Sequence, residues 1–166
     1  MKRLLIVGGP MGVGKSTVCG ALLERLQPGV YLDGDWCWNM RPFSVTEETR
    51  AMVMDNICAM LTRFLACPEL RYVIFGWVLH RQEIWDELLH RLPLEQVRVT
   101  CVALTASEGT LRTRLEADVA AGLRKADAVE RGLSYLPLYA GLNIPLLNTD
   151  RLTPAQAADW IQLRLK

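Results

Sequence analysis

A single α/β domain built on a parallel β-sheet is the fold class that the sequence predicts. The chain has 166 residues, a length that suits one hydrophobic core. Short apolar segments alternate with longer segments of helical periodicity, and each short segment is apolar throughout. Strands that alternate with helices form parallel sheets with helices on both faces, which buries such strands completely. The sequence has no internal repeat, low-complexity segment or linker, so we expect one domain over residues 1–166.

Eleven segments follow from this pattern in chain order. The predicted strands are Leu4–Val7, Val30–Leu32, Tyr72–Phe75, Val97–Leu104 and Ile144–Leu147. The predicted helices are Lys15–Leu26, Thr46–Ala66, Gln82–Arg91, Ala106–Ala121, Ala126–Leu136 and Pro154–Leu165.

Apolar spacing and capping residues indicate the helices. In Thr46–Ala66, apolar residues recur every three or four positions and share one helix face. These residues are Met54, Ile57, Leu61 and Leu65. Ser107 and Thr153-Pro154 predict helix starts, because a hydroxyl caps free N–H groups and proline fits the first helical position. Pro93 and Pro137 predict helix ends.

Composition limits the partners and the compartment. The 19 basic and 18 acidic side chains leave a net charge of +1, so we expect no double-stranded nucleic acid and no membrane as partner. The apolar run Leu4–Val7 is too short for a signal peptide, and no segment reaches the roughly 18 apolar residues of a membrane helix. We therefore expect a soluble, cytoplasmic protein. Five cysteines without C-x-x-C spacing predict reduced, structural thiols. No pattern indicates the oligomeric state.

A phosphate-binding loop joins the first predicted strand to the first predicted helix. The segment Gly9-Pro10-Met11-Gly12-Val13-Gly14-Lys15-Ser16 fits the pattern G-x-x-x-x-G-K-[ST] in the required context. Glycines let backbone N–H groups surround the phosphates, and the helix N-terminus adds partial positive charge. Lys15 is expected to reach the β- and γ-phosphates, and Ser16 to hold Mg²⁺. ATP would be bound by Gly9, Gly12, Val13, Gly14, Lys15, Ser16 and Thr17.

The remaining residues narrow the class of nucleotide-binding protein. No N-K-x-D segment for guanine selection is present, and Tyr72–Gly76 lacks the terminal Asp of a motor ATPase. A carboxylate pair follows the second predicted strand instead, as Asp33-Gly34-Asp35. If the chain stays extended through Gly34, both carboxylates point to the same side, where one would orient Mg²⁺ and the other would accept a substrate proton. The alternative is an Asp-Gly turn whose Asp caps the next helix.

The phosphate loop together with Leu32-Asp33-Gly34-Asp35 resembles a group of small P-loop phosphotransferases: shikimate kinase, gluconate kinase, adenylylsulfate kinase and chloramphenicol phosphotransferase. The resemblance implies a P-loop NTPase three-layer α/β/α fold. It further implies a five-stranded parallel sheet of order 2-3-1-4-5 and a helical lid at approximately residues 117–136.

The same resemblance implies roles for individual residues. Asp33 matches the carboxylate on the Mg²⁺ side, so Ser16 and Asp33 form the metal site. Asp35 matches the substrate-side carboxylate or base, although the division between the two remains open. Arg112, in Leu111-Arg112-Thr113-Arg114-Leu115, is placed near adenine. Arg124, in Gly122-Leu123-Arg124-Lys125, would close over the transferred phosphoryl group.

An acceptor pocket is expected beside the carboxylates, where the chain concentrates aromatic residues. Trp36, Trp38 and Arg41 follow Asp35 directly, and Trp77 follows the third strand at the same edge of the sheet. Aromatic walls with a few polar anchors suit a sugar, a nucleobase or another flat acceptor. Packing over the sheet is the alternative role for these tryptophans. The acceptor itself is not identified by the sequence.

The sequence as a whole predicts an ATP- and Mg²⁺-dependent kinase that phosphorylates a hydroxyl of a small molecule. Its expected catalytic residues are Lys15, Asp33, Asp35 and Arg124. A nucleoside, nucleotide or polynucleotide 5′-hydroxyl kinase is an alternative, although the near-neutral charge argues against long nucleic acids. A non-catalytic ATP-binding switch is a second alternative, and it would need neither the paired carboxylates nor an arginine in a lid.

Overall fold

Five strands and six α-helices are present in residues 1–165, the part of the chain that the computed structural model describes. The strands are β1 (Lys2–Gly8), β2 (Gly29–Asp33), β3 (Tyr72–Gly76), β4 (Val97–Thr105) and β5 (Leu146–Asn148). The helices are α1 (Lys15–Arg25), α2 (Glu47–Ala66), α3 (Gln82–Arg91), α4 (Glu108–Ala120), α5 (Ala128–Tyr135) and α6 (Pro154–Gln162). Short 3₁₀ helices cover Gly34–Trp38, Leu136–Gly141 and Leu163–Leu165.

The strands form one parallel sheet in the order β2-β3-β1-β4-β5, as the resemblance to small P-loop phosphotransferases implied. Strand β1 lies at the centre, between β3 and β4. In the outer pair, Asp33 at the end of β2 is in register with Gly76 at the end of β3. The carboxyl ends of all five strands therefore meet at one edge of the sheet, where parallel sheets bind ligands.

Alternate residues of each strand point to opposite faces of the sheet, and this separates two hydrophobic cores. Leu5 and Val7 pack against a cluster that includes residues of α1 and α6. Leu4 and Ile6 pack against a second cluster, which includes residues of α2 and α3. The continuous apolar run of β1 is explained by this double burial, and the predicted α/β/α layering is confirmed.

The element boundaries differ from the predicted ones by at most three residues, and α3 matches its predicted bounds at both ends. Strand β5 was predicted over Ile144–Leu147 but pairs with β4 only from Leu146, because Pro145 has no N–H group for the ladder. The predicted helix starts are confirmed: Ser107 caps α4, and Thr153 caps α6 by accepting a hydrogen bond from the Gln156 backbone N–H at 3.2 Å. None of the helices within residues 1–165 has the length and apolar character that crossing a membrane requires.

Candidate active site

The phosphate loop connects β1 to α1 at the ligand edge of the sheet. Gly12 and Gly14 adopt φ values of 80° and 103°, which side chains with a Cβ rarely adopt. A Cβ on Gly12 would also lie 2.6 Å from Cδ2 of Leu115, so α4 packs directly on the loop. Glycine thus shapes the loop at Gly14, which the G-x-x-x-x-G-K-S pattern specifies, and at Gly12, which the pattern leaves open.

Lys15, the first residue of α1, reaches back over this loop. Its Nζ donates hydrogen bonds to the carbonyl oxygens of Gly9 at 2.7 Å and Pro10 at 2.9 Å. Burial lowers the pKa of Lys15 to about 8, and the nearby charges of Asp35 and Asp33 act in the opposite direction. The ammonium group therefore lies between the loop and both carboxylates.

The carboxylate pair is brought together by a turn rather than by extended chain. After β2 the backbone enters the 3₁₀ helix Gly34–Trp38, and the Asp33 Oδ1 accepts a hydrogen bond from the Asp35 backbone N–H at 2.9 Å. The expectation of an extended chain through Gly34 was wrong, because Asp33 caps the turn as in the alternative arrangement. Both carboxylates nevertheless act on Lys15.

Two hydroxyl groups hold the other oxygen of Asp33. The Ser16 hydroxyl and the Tyr31 hydroxyl each donate a hydrogen bond to Asp33 Oδ2 at 3.0 Å. A serine hydroxyl and a carboxylate oxygen at this separation are the hard oxygen ligands that Mg²⁺ prefers. Tyr31 was not predicted as a site residue, although its position two residues before Asp33 places both side chains on one side of β2.

Asp35 has a different environment from Asp33. Crowding by neighbouring protein atoms, and then the charge of Asp33, raise the pKa of Asp35, while Lys15, the Trp77 side chain and Arg124 act to lower it. Trp77 packs over the turn so closely that a Cβ on Gly34 would lie 2.4 Å from the Trp77 Cγ atom. Asp35 is therefore the carboxylate that takes up a proton more readily than an ordinary aspartate.

The tryptophans expected to line an acceptor pocket lie around the turn that carries Asp35. Trp36 is 62% exposed, and its ring meets Tyr31 edge-on at 5.5 Å between centroids. Trp38 is partly buried beside Phe43, and its buried Nε1 has no hydrogen-bond partner within residues 1–165. Arg41 is exposed and forms no salt bridge with the described part of the chain. These side chains leave an aromatic surface open to solvent.

The α4–α5 turn carries Arg124 to the same edge. The positive φ of Gly122, 72°, ends α4, and the Arg124 Nε donates a hydrogen bond to Asp118 Oδ2 at 2.9 Å. The charge of Arg124 lowers the pKa of both Lys15 and Asp35, which places its guanidinium group on the side of the phosphate loop.

Arg112 and Arg114 of α4 face different surroundings. Arg112 points away from the loop and forms salt bridges with Glu108 at 3.2 Å and Glu130 at 3.5 Å. Arg114 donates hydrogen bonds to the Val13 carbonyl at 3.2 Å and to Thr149 at its Oγ1 and carbonyl oxygens. The structure thus places Arg114, and not Arg112, next to the phosphate loop.

A cleft of about 180 Å³ opens beside the phosphate loop, between α1, α4 and α6. It is lined by Val13, Gly14, Thr17, Val18, Arg114, Thr149, Leu152, Thr153, Pro154 and Ala157. The Thr149 side chain is buried and donates a hydrogen bond to the Thr105 carbonyl at 3.1 Å. Thr149 and Leu152, which follow β5, form one wall of this cleft.

The fold and the phosphate loop together define a P-loop nucleotide-binding domain. The sequence profile of a family described as AAA domain matches residues 5–130, more than half of the chain. The chain belongs to this family. No protein of curated function has significant sequence similarity to it.

Several solved structures have a similar fold. The tunicamycin resistance protein of Deinococcus radiodurans superimposes with a TM-score of 0.72 and 19% identity, over 99% of this chain and 96% of that one. A gluconokinase from Sinorhizobium meliloti has a TM-score of 0.64 and 19% identity, and the match covers 98% of this chain and 95% of that one. A sugar kinase from Janibacter sp. has a TM-score of 0.69 and 15% identity, and the match covers 99% of this chain and 95% of that one. At these identities the similarity shows a shared fold.

Proposed function

We propose that this protein transfers the γ-phosphate of ATP to a hydroxyl of a small molecule. One observation carries the proposal: the two carboxylates beside Lys15 occupy different environments. Asp33 is held by three hydrogen-bond donors, one of them Ser16, whereas Asp35 has a raised pKa and interacts with the Trp77 side chain. A kinase needs one carboxylate for the metal and a second as base, and this arrangement supplies both.

Mg²⁺ fits the pair of oxygens contributed by Ser16 and Asp33. Mg²⁺ binds through one or two protein oxygens and completes its shell with phosphates and water, so it would reach this site with the nucleotide. When bound, it supplies charge neutralisation for the phosphates. Lys15 and Arg124 would stabilise the negative charge that develops on the transferred group.

Asp35 would accept the proton of the acceptor hydroxyl. The acceptor would lie against Trp36, Trp38 and Trp77, with Arg41 at the rim. Closure of residues 117–136 as a lid over a single kinase domain, residues 1–166, would exclude water as a competing acceptor. A small molecule suits this surface better than duplex nucleic acid because the net charge is only +1.

A coupled ADP-release assay tests the proposal. Sugars and sugar acids head the acceptor panel, because two proteins of similar fold are described as a gluconokinase and a sugar kinase; nucleosides and hydroxylated antibiotics follow. We expect one class to stimulate ADP release and to yield a phosphorylated product in the presence of Mg²⁺. Stimulation by nucleosides or nucleic-acid 5′ ends would assign the first alternative. Tight ATP binding with no stimulation of ADP release by any acceptor would favour the non-catalytic ATP-binding switch and contradict the proposal.

ATP affinity is expected to fall as the pH rises above about 8. Burial gives Lys15 a pKa of about 8, so below that pH it is already charged when ATP arrives. Above it, the neutral amine must take up a proton to face the phosphates, and affinity decreases by up to about tenfold per pH unit. Titration of a fluorescent ATP analogue across this range measures the effect. Lys15→Met is the control, because it should show no such slope; an equal slope in the variant would contradict the assignment.

Replacing Arg114 is expected to weaken nucleotide binding, whereas replacing Arg112 is not. Arg114→Ala removes hydrogen bonds to Val13 and Thr149 in the cleft wall, and we expect the Kd for ATP to rise about tenfold. Arg112→Ala removes only exposed ion pairs and should change the Kd by less than about twofold. Fluorescence anisotropy with labelled nucleotide compares them. Equal losses for the two variants would show that nucleotide binding does not depend on the cleft that Arg114 lines.

A further inference from the structure

Tyr31 lies beneath the carboxylate that the proposed function assigns to the metal. Its side chain is half-buried on β2, and its hydroxyl donates to Asp33 Oδ2 at 3.0 Å, the same oxygen that accepts from Ser16. The Asp35 backbone N–H occupies the other oxygen, Oδ1. The hydrogen bond from Tyr31 therefore holds the orientation in which Oδ2 faces Ser16.

The neighbouring strand leaves space for this hydroxyl. Gly76 is in register with Asp33, and a Cβ added there would lie 3.3 Å from the Tyr31 hydroxyl and 3.1 Å from the Cys19 Sγ atom. Contacts this short require the neighbours to shift. The end of β3 thus carries no carboxylate and no side chain, and the phenol of Tyr31 passes through the resulting gap.

From this geometry we propose that Tyr31 is a positioning residue, which aims the Asp33 carboxylate at Ser16 so that the two can hold Mg²⁺ together with the nucleotide. The inference rests on the proposed function for the identity of the metal, but it concerns binding and needs no acceptor. Gly76 contributes by leaving the Tyr31 hydroxyl its place beside Asp33. The orientation of the Asp33 carboxylate therefore depends on the Tyr31 hydroxyl of its own strand and on the absence of a side chain at Gly76 in β3.

The test measures how Mg²⁺ strengthens the binding of a fluorescent ATP analogue. In Tyr31→Phe we expect the Mg²⁺ concentration for half-maximal strengthening to rise about tenfold, the effect of one hydrogen bond to a charged group. Binding in EDTA should equal that of wild type, because the Tyr31 hydroxyl donates its hydrogen bond to Asp33 and not to a group that binds phosphate. Tyr72→Phe is the matched control: it removes a phenol from the opposite end of β3 and should leave the Mg²⁺ dependence unchanged. An unchanged dependence in Tyr31→Phe, or an equal loss in EDTA, overturns the inference.

Gly76→Ala provides a second variant. It should shift the Mg²⁺ dependence in the same direction, and shift it less when Tyr31→Phe is already present, because the displaced hydroxyl is then absent. Additive shifts in the double variant, or no Mg²⁺ effect on wild-type binding, also overturn the inference. If the Mg²⁺ dependence of binding shifts in Tyr31→Phe while the wild-type protein phosphorylates no acceptor, the role of Tyr31 is supported and the proposed kinase function is contradicted.

Discussion

Asp35→Asn is expected to abolish most acceptor-dependent phosphoryl transfer while ATP still binds. A positioned general base contributes about 10²- to 10⁴-fold to rate, and we expect turnover to fall by that factor. The turn itself should survive, because the hydrogen bond to Asp33 comes from the backbone N–H of residue 35 and not from its side chain. ADP release at saturating acceptor, compared with the Kd for ATP, separates chemistry from binding.

The pH profile provides a second readout for Asp35. The base must be ionised, and crowding together with Asp33 raises its pKa, so wild-type turnover should decline on the acid side at a higher pH than for an ordinary aspartate. The residual activity of Asp35→Asn should lack this decline. Asp86→Asn is the matched control, since Asp86 lies on α3 and accepts a hydrogen bond from the Gln82 side chain at 2.9 Å. Wild-type turnover in Asp35→Asn would remove this residue from the mechanism.

The arrangement of the sheet was predictable because double burial leaves a clear trace in the sequence. Leu4 to Val7 must serve two cores at once, so every residue in the run is apolar. The ends of elements were less predictable, because they depend on single backbone groups. Ile144 extends the apolar run of β5, yet the missing N–H of Pro145 delays strand pairing until Leu146.

The position of Ser16 beside Asp33 follows from general rules, because a phosphate loop and the end of a parallel strand meet at the same edge. The turn at Asp33 does not follow from them, since the sequence Asp-Gly-Asp suits both extended chain and a capped turn. The hydrogen bond that the Asp33 carboxylate accepts from the Asp35 backbone N–H decides in favour of the capped turn.

Helical periodicity could not distinguish Arg112 from Arg114. Leu111 and Leu115 define the buried stripe of α4, and at 100° per residue the two arginines lie about 80° on either side of it. The choice depends on which flank meets the phosphate loop. Gly12 packs on Leu115 and Thr149 lies beside Arg114, and both contacts join residues far apart in the chain.

Lys15→Met is expected to impair both catalysis and ATP binding, because it removes a charge that serves both the nucleotide and the carboxylates. Removal of one preorganised donor to developing charge costs about 10²- to 10³-fold in kcat, and the Kd for ATP should also increase. The Lys15 Nζ also bridges the Gly9 and Pro10 carbonyls, so the variant loses these loop contacts too. Thermal unfolding of the nucleotide-free protein reports that structural part separately.

The charge of Lys15 also lowers the pKa of Asp35, and this gives Lys15→Met an effect that a loss of phosphate contacts alone would not produce. Without the ammonium group, Asp33 and Asp35 face each other with less compensation, and the pKa of Asp35 should rise further. The acid limb of the residual activity should therefore move to higher pH. Lys15→Arg is the matched comparison, because it keeps the charge but replaces a compact ammonium by a planar fork. We expect it to retain the wild-type acid limb while losing kcat. If the acid side of the pH profile does not move in Lys15→Met, Lys15 does not influence the pKa of Asp35. Its role would then be limited to the phosphates.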